Sequence, residues 1–458
     1  MKHLKFEKAF LRRVAFVALP ILIQNFITNF VSLLDNIMVG QIATEQMSGV
    51  AIVNTLLFVF NLAIFGAVSG PGIFTAQFVG KGDLDGVRQT FRIKLIFVVV
   101  LVIVGIAVLT LFQDRLILLY LHKSSENIDI AATLSYAKTY LEIMLVGMVP
   151  FALANAYSGT LRESGETIVP MAAGITAVVI NLALNYILIF GHFGAPKMGV
   201  AGAALATVIS RFAELAIIVF YTHTHTKKLP FIKGAFKGFH ISGSLFKQVL
   251  IKGTPLFANE FLWSLGMSAV TQCYSTRGVE VVAAFNISNT IVNLFNVAFI
   301  SMGSVVAIII GQELGSGHLD TVVDTDRKLI FISVVMSMVL GAVLFAMAPL
   351  FPKLYNTSPE IRLLATRLMM IAACFMPVSS YLNAAYFTLR SGGKTLITFF
   401  FDSFFLIVCS WPVAFMLSRF TDIPILTMYT VILALDFIKV LIGHILIKKK
   451  IWIVDMVK

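Results

Sequence analysis

Gln77-Phe78-Val79-Gly80-Lys81-Gly82-Asp83-Leu84-Asp85-Gly86-Val87-Arg88-Gln89-Thr90 decides the architecture, because the chain writes it a second time. The copy is Gln312-Glu313-Leu314-Gly315-Ser316-Gly317-His318-Leu319-Asp320-Thr321-Val322-Val323-Asp324-Thr325. The Gln, the glycines at the fourth and sixth places, and the Leu, Asp, Val and Thr coincide without a gap. Moving outward at the same offset, Pro20 falls on Pro255, Asn54-Thr55 on Asn289-Thr290, and Phe60-Asn61 on Phe295-Asn296. At a slightly shorter offset, Asn155-Ala156 falls on Asn383-Ala384, Thr160-Leu161-Arg162 on Thr388-Leu389-Arg390, and Gly165 on Gly393. A duplication inside a very apolar chain points to a transporter whose halves move against each other around a shared site.

Composition names the solvent. Of 458 residues, 58% are hydrophobic and 13% charged, and the mean hydropathy is +0.92. Apolar runs lie near 14–38, 49–73, 93–113, 137–159, 168–191, 199–222, 250–273, 284–311, 329–350, 364–387, 396–418 and 424–447. Each has roughly 20 residues, enough at about 1.5 Å per residue to cross a hydrocarbon core of about 30 Å. Without water to satisfy backbone groups these runs must be helices. The expectation is an all-α polytopic membrane protein with twelve transmembrane helices in two pseudo-symmetric six-helix lobes. The lobes cover 1–225 and 250–458, joined by a linker at 226–249. That linker is basic and broken by Pro230, and Ser244 to Leu250 suits a short amphipathic helix along the inner surface.

Several function classes fall away. No extramembrane segment is long enough for a soluble domain. Gly80-Lys81-Gly82 lacks the Lys-Ser or Lys-Thr of a phosphate-binding loop and reads as a turn. An enzyme is therefore not expected, nor a cofactor beyond a coupling ion. Cys273, Cys374 and Cys409 all lie within spans and show neither pairing nor metal spacing. The net charge of +12 does not indicate nucleic acid, because the basic residues are spread over many short segments without an aromatic platform. They concentrate on one side: Lys2, Lys5, Lys8, Arg12 and Arg13; Lys227, Lys228, Lys233 and Lys237; Lys448, Lys449 and Lys450. This bias predicts a multi-pass protein of the plasma (inner) membrane with both termini cytoplasmic.

Ionisable groups inside spans cost roughly 2.5–3.5 kcal/mol each at a helix centre and so mark cavities or partners. Asp35, Arg211 with Glu214, Glu260, Asp402, and Asp436 with Lys439 qualify. Glu260, Asp402 and Asp436 sit about 10–16 Å from the inner boundary and suit one acidic, substrate-facing cluster. Arg211–Glu214 and Asp436–Lys439 are i, i+3 pairs on corresponding helices with reversed order, read as self-neutralised structural pairs. Asp35 lies near the outer end of the first span. Asn181 and Asn185 share one face of the fifth, and Thr207 lies at comparable depth in the sixth. Together they form an oxygen-only set suited to Na⁺, or to a carboxylate that exchanges protons. Pro20 shares a helix with Asp35 and is the candidate hinge.

Asp35 within Leu33-Leu34-Asp35-Asn36-Ile37-Met38-Val39-Gly40, the pair Asn181 and Asn185, the run from Gly199 to Thr207, and the doubled Thr-Leu-Arg turns resemble the multidrug and toxic compound extrusion (MATE) family. The resemblance covers essentially the whole chain. It implies a V-shaped pair of lobes and export of organic, often cationic compounds in exchange for Na⁺ or H⁺. It also implies that Asp35, Asn181, Asn185 and Thr207 are the ion-coupling residues. Two departures stand out. The family's seventh-helix glutamate position is Trp263 here, with Glu260 three residues earlier. The tenth-helix aspartate has no acidic counterpart between Met376 and Tyr381. A second-lobe cation site is therefore not carried over, and Asp402 and Asp436 are read as its substitutes.

The expected mechanism is alternating access by a monomer. Small amphiphilic cations enter a cavity lined by aromatic and Met side chains, and protonation of Asp35, or Na⁺ bound to it, drives them outward. A flippase for lipid-linked oligosaccharides is one rival, but it calls for a basic cavity, and the deep basic residues Arg211 and Lys439 both look paired. A channel or receptor is the other, disfavoured by the repeat with charges in both halves.

Overall fold

The protein is described from a computed structural model, which covers residues 6–40, 44–121, 129–238, 240–317, 319–355 and 357–457. Within these it leaves out the side chains of 32–37, 39, 40, 44, 120, 121 and 279. The described chain is helical almost throughout: α1 (Lys8–Gly40), α2 (Thr44–Lys81), α3 (Leu84–Leu111), the short α4 (Gln113–Leu121), α5 (Ile130–Glu163), α6 (Ile168–Phe190) and α7 (Val200–Thr224). After the linker come α8 (Gly243–Ser275), α9 (Val279–Gly315), α10 (Leu319–Met347) and α11 (Pro359–Ser391). The last two are α12 (Thr395–Phe420) and α13 (Ile425–Lys448).

By length and composition alone, eleven helices among the described residues are long and apolar enough to cross a membrane. The expected seventh span forms the 33-residue helix α8. Asn259, Glu260, Ser264 and Ser268 dilute its apolar content below that of the others. The helix expected to lie along the inner surface at Ser244–Leu250 is instead the first two turns of α8.

The chain divides into two compact units. One comprises Ile23–Thr75 and Leu84–Gln248, the other Met1–Leu22, Ala76–Asp83 and Val249–Lys458; they are called the N-terminal and C-terminal units below. The start of α1 and the end of α2 thus cluster with the second half of the sequence. Both helices change unit shortly after an internal proline, Pro20 in α1 and Pro71 in α2.

The duplicated stretch accounts for part of this exchange. Within the C-terminal unit the end of α2 crosses the end of α9 so closely that a Cβ on Gly80 would run into the Gln312 carbonyl. A Cβ on Gly315 would run into the Gln77 carbonyl. The repeated Gln-x-x-Gly therefore packs against its own copy, and only glycine permits the approach. Gln77, fully buried, then ties down the end of the chain: Nε2 donates to the carbonyls of Ser391 at 2.9 Å and Val454 at 3.2 Å. Its Oε1 accepts from the Met456 backbone N–H at 2.8 Å.

In the N-terminal unit the linker is held rather than loose. Arg92, buried in α3, donates to the carbonyls of Ala235, His240, Gly234 and Lys237 at 2.7–3.2 Å. Arg88 donates to Phe231 and Pro230, and the Gln89 amide oxygen accepts from the Ser242 N–H. Lys228 pairs with Glu166, and that hydrogen bond holds its ammonium above the usual lysine range.

Candidate functional site

The N-terminal unit builds its site from a close helix contact. On α6 the buried positions Ala173, Ala177, Asn181 and Asn185 recur every four residues, a single stripe. Facing them, α7 begins with small residues, and a Cβ on Gly202 would lie 2.6 Å from the Leu188 carbonyl oxygen. That proximity lets short polar side chains meet. Asn185 Nδ2 donates to Asn181 Oδ1 at 3.1 Å, and Asn181 Nδ2 donates to Thr207 Oγ1 at 3.2 Å. Thr207 Oγ1 in turn donates to the Ala203 carbonyl at 3.0 Å. The three neutral residues singled out from sequence form one directional chain across two helices. Helix α1 runs through Asp35, whose side chain lies outside the described residues.

This chain borders a cavity of about 370 Å³ lined by residues of α2, α5, α6 and α7. Phe58, Phe60, Phe151, Met144 and Met148 supply apolar wall, while Asn54, Asn61, Tyr140, Asn185, Thr207 and Arg211 supply polar groups. Aromatic and thioether side chains with a few placed polar groups suit an amphiphilic ligand. Arg211 pairs with Glu214 at 3.1 Å and also stacks over Phe151, 4.9 Å from the ring centroid. Its place in the cavity wall was not evident from the i, i+3 spacing.

In the C-terminal unit the charged residues converge differently from the sequence expectation. Lys439 Nζ donates to Asp402 Oδ1 at 3.1 Å, whereas its helix neighbour Asp436 lies at 4.0 Å. The closer partner is thus on another helix. Asp402 sits in the first of two π-helical stretches (Phe400–Phe404 and Leu406–Ser410) within α12, a geometry frequent at functional sites. Asn259 Nδ2 donates to Asp402 Oδ2 at 3.3 Å, and Asn259 Oδ1 accepts from Ser403 Oγ at 2.6 Å. Glu260 lies within electrostatic reach of Asp402 and Arg390. Carboxylates and cations here interleave; they do not make a purely acidic cluster.

Sequence reasoning missed one feature, although the doubled Thr-Leu-Arg carried its signal. In the N-terminal unit fully buried Lys94 donates to Thr160 Oγ1 at 3.1 Å and pairs with Glu163. In the C-terminal unit the matching Thr388 donates to buried Asp326 at 2.5 Å. A hydroxyl both donates and accepts, so one repeated threonine serves a cation in one unit and a carboxylate in the other.

Comparison with known proteins decides the family. The MatE family model matches residues 20–187 and again 255–416. The chain belongs to the MatE family. It is a membrane transporter, not an enzyme, and the double match reproduces the internal repeat. Among curated MatE-like relatives, the probable multidrug resistance protein NorM of Thermotoga maritima is 26% identical, covering 90% of this chain and 86% of its own. The probable multidrug resistance protein YoeA of Bacillus subtilis is also 26% identical, covering 91% and 88%. A solved outward-facing multidrug resistance MATE transporter superimposes with a TM-score of 0.85 at 18% identity, covering 97% of this chain and 98% of that one. The MATE fold is therefore shown.

Proposed function

We propose that this MATE transporter exports amphiphilic organic cations, drugs among them, in exchange for H⁺ or Na⁺ by alternating access of two six-helix lobes, 1–225 and 250–458. The observation that carries the reading is the Asn185–Asn181–Thr207 chain at the wall of the cavity. Hard cations take oxygen ligands, and neutral oxygens add no fixed charge to compete for Asp35. Asp35 then exchanges its cation with each cycle, whereas a permanently ion-paired carboxylate could not. The relatives named multidrug resistance proteins support the substrate class. Pro20, beside the point where α1 changes unit, serves as the hinge that links the ion to the cavity.

Dye efflux from proteoliposomes tests this. An outward-to-inward Na⁺ or proton gradient, imposed separately, should drive ethidium against its own gradient with at least one of the two ions. Efflux indifferent to both, or a linear current–voltage relation independent of substrate, contradicts exchange. The charge bias places both termini on the cytoplasmic side. A reporter fused after Lys458 should therefore be active only in the cytoplasm, and activity confined to the opposite face contradicts the orientation.

A further inference from the structure

We infer that Asp326 is a proton-binding site of the C-terminal unit, separate from Asp35, and that the bound proton latches α10 to α11. The inference goes beyond the export reading and does not rest on it. Asp326 is 1% exposed. Its Oδ2 is buried with no hydrogen-bond partner, and its Oδ1 meets the Thr388 hydroxyl across the helix contact. An ionised carboxylate is acceptor-only, with about four lone-pair sites to fill. Burying one against a single donor is costly, and a neutral acid avoids most of that cost.

Counting protons gives the direction of the bond. The Thr388 hydroxyl has one proton and two oxygens within reach, Asp326 Oδ1 at 2.5 Å and the Ala384 carbonyl at 3.0 Å. With Asp326 ionised, only one of the two can be served. With a proton on Oδ1, the acid donates to the hydroxyl, the hydroxyl donates to Ala384, and both contacts stand. The other copy of the repeat has the same arrangement with an ammonium as the donor. There Thr160 donates to the Ala156 carbonyl at 3.0 Å and accepts from Lys94 at 3.1 Å. The place taken by a lysine in one unit is taken by an acid in the other.

Among the described residues no cation pairs with Asp326, and the charged groups around it face or pair elsewhere. On α10, Arg327 is exposed and within electrostatic reach, but successive helical residues do not face each other. Lys328 pairs with Asp324 at 2.6 Å. From α9, Glu313 accepts from Thr325 and pairs with Arg13 of α1. From α11, Arg390 lies over the Phe387 ring and within reach of Glu260. Tyr381, also on α11, is within reach of Asp326, and its hydroxyl lies 3.3 Å from His444 Nδ1. Loss of the proton therefore leaves a buried charge that must be hydrated, which draws the start of α10 away from the end of α11.

Infrared spectroscopy of the purified full-length protein in an ester-free maltoside detergent reads the proton directly. An ordinary aspartate, with a pKa of about 3.9, is ionised at about pH 6. The wild-type-minus-Asp326→Asn spectrum at that pH should nonetheless contain the carbonyl stretch of a protonated carboxylic acid. Carboxylate bands alone, or no acid band, overturn the site. Thr388→Val keeps Asp326 and removes its acceptor, so it should shift the same band, and it decides the matter if Asp326→Asn does not fold. A wild-type-minus-Thr388→Val spectrum that is flat in the acid region overturns the site as well. Melting reads the latch. The folded protein holds one proton more than the unfolded chain, so the folding equilibrium weakens about tenfold for each pH unit over which Asp326 stays protonated. Asparagine keeps an N–H donor without the titration. Asp326→Asn should therefore melt with wild type at the lower pH and above it at about pH 9. A variant that tracks wild type across this range, or melts below it throughout, overturns the latch.

Discussion

Asp35→Asn is expected to insert and fold like wild type and to lose gradient-driven export. A membrane potential of 100 mV supplies roughly 2.3 kcal/mol per charge, which supports about fifty-fold accumulation, since 1.4 kcal/mol is a factor of ten. An uncoupled variant falls to a ratio of about one. Asparagine keeps the size and the hydrogen-bonding oxygen but cannot take up and release a cation. The partners should grade in effect. Asn181 stands in the middle of the chain, accepting from Asn185 and donating to Thr207, so Asn181→Ala breaks both links. Asn185→Ala breaks one. Thr207→Ala should cost least, because the Thr207 hydroxyl spends its proton on the Ala203 carbonyl. Dye accumulation in proteoliposomes at matched protein levels measures the series. Wild-type accumulation by Asp35→Asn contradicts the coupling role.

Lys94→Met is expected to cost about 3 kcal/mol of stability. Removing one member of a buried ion pair leaves the other without its compensation, worth about 3–5 kcal/mol, and the 15% exposure of Glu163 puts the loss at the lower end. The fully buried ammonium also contacts Thr160, so the end of α5 loses two ties to α3 at once. Lys94→Met combined with Glu163→Gln should recover most of the loss, because the remaining group is then neutral. Thermal unfolding in detergent, followed by tryptophan fluorescence, compares the variants. A single mutant that melts with wild type, or a double mutant that melts no higher than the single, contradicts a buried pair that holds these helices together.

Much of the architecture is legible because membrane insertion leaves few solutions. Long apolar runs must become helices, and a repeat must produce two related arrangements. The Gln-x-x-Gly copies gave away the duplication, but not that each glycine opposes the other copy's glutamine carbonyl; those contacts, Gly80 with Gln312 and Gly315 with Gln77, join residues far apart in sequence. Asn181 and Asn185 could be read as one face because the helical period alone places them there. Lys439 could not be assigned to Asp402 for the opposite reason. The nearer residue in sequence, Asp436, is the farther one in space, and the π-helical turns around Asp402 shift the faces that a regular helix would present. Nothing in the sequence singles out Lys94, since burial of a long helix end is a property of packing. The beginning of α8 misled as well: its amphipathic pattern suits a surface helix and a helix start equally.

The central claim is that substrate and coupling ion exchange at the N-terminal site. The direct measurement is ion release on substrate addition to purified protein in lightly buffered detergent. Protons are followed with a pH-sensitive dye and, in a parallel sample preloaded with ²²Na⁺, sodium by rapid filtration. Linkage requires that a ligand displacing an ion release it in proportion to occupancy. The account predicts saturable release of H⁺ or Na⁺ by wild type and none by Asp35→Asn. Saturable substrate binding by wild type with no release of either ion, or release that persists undiminished in Asp35→Asn, would contradict it.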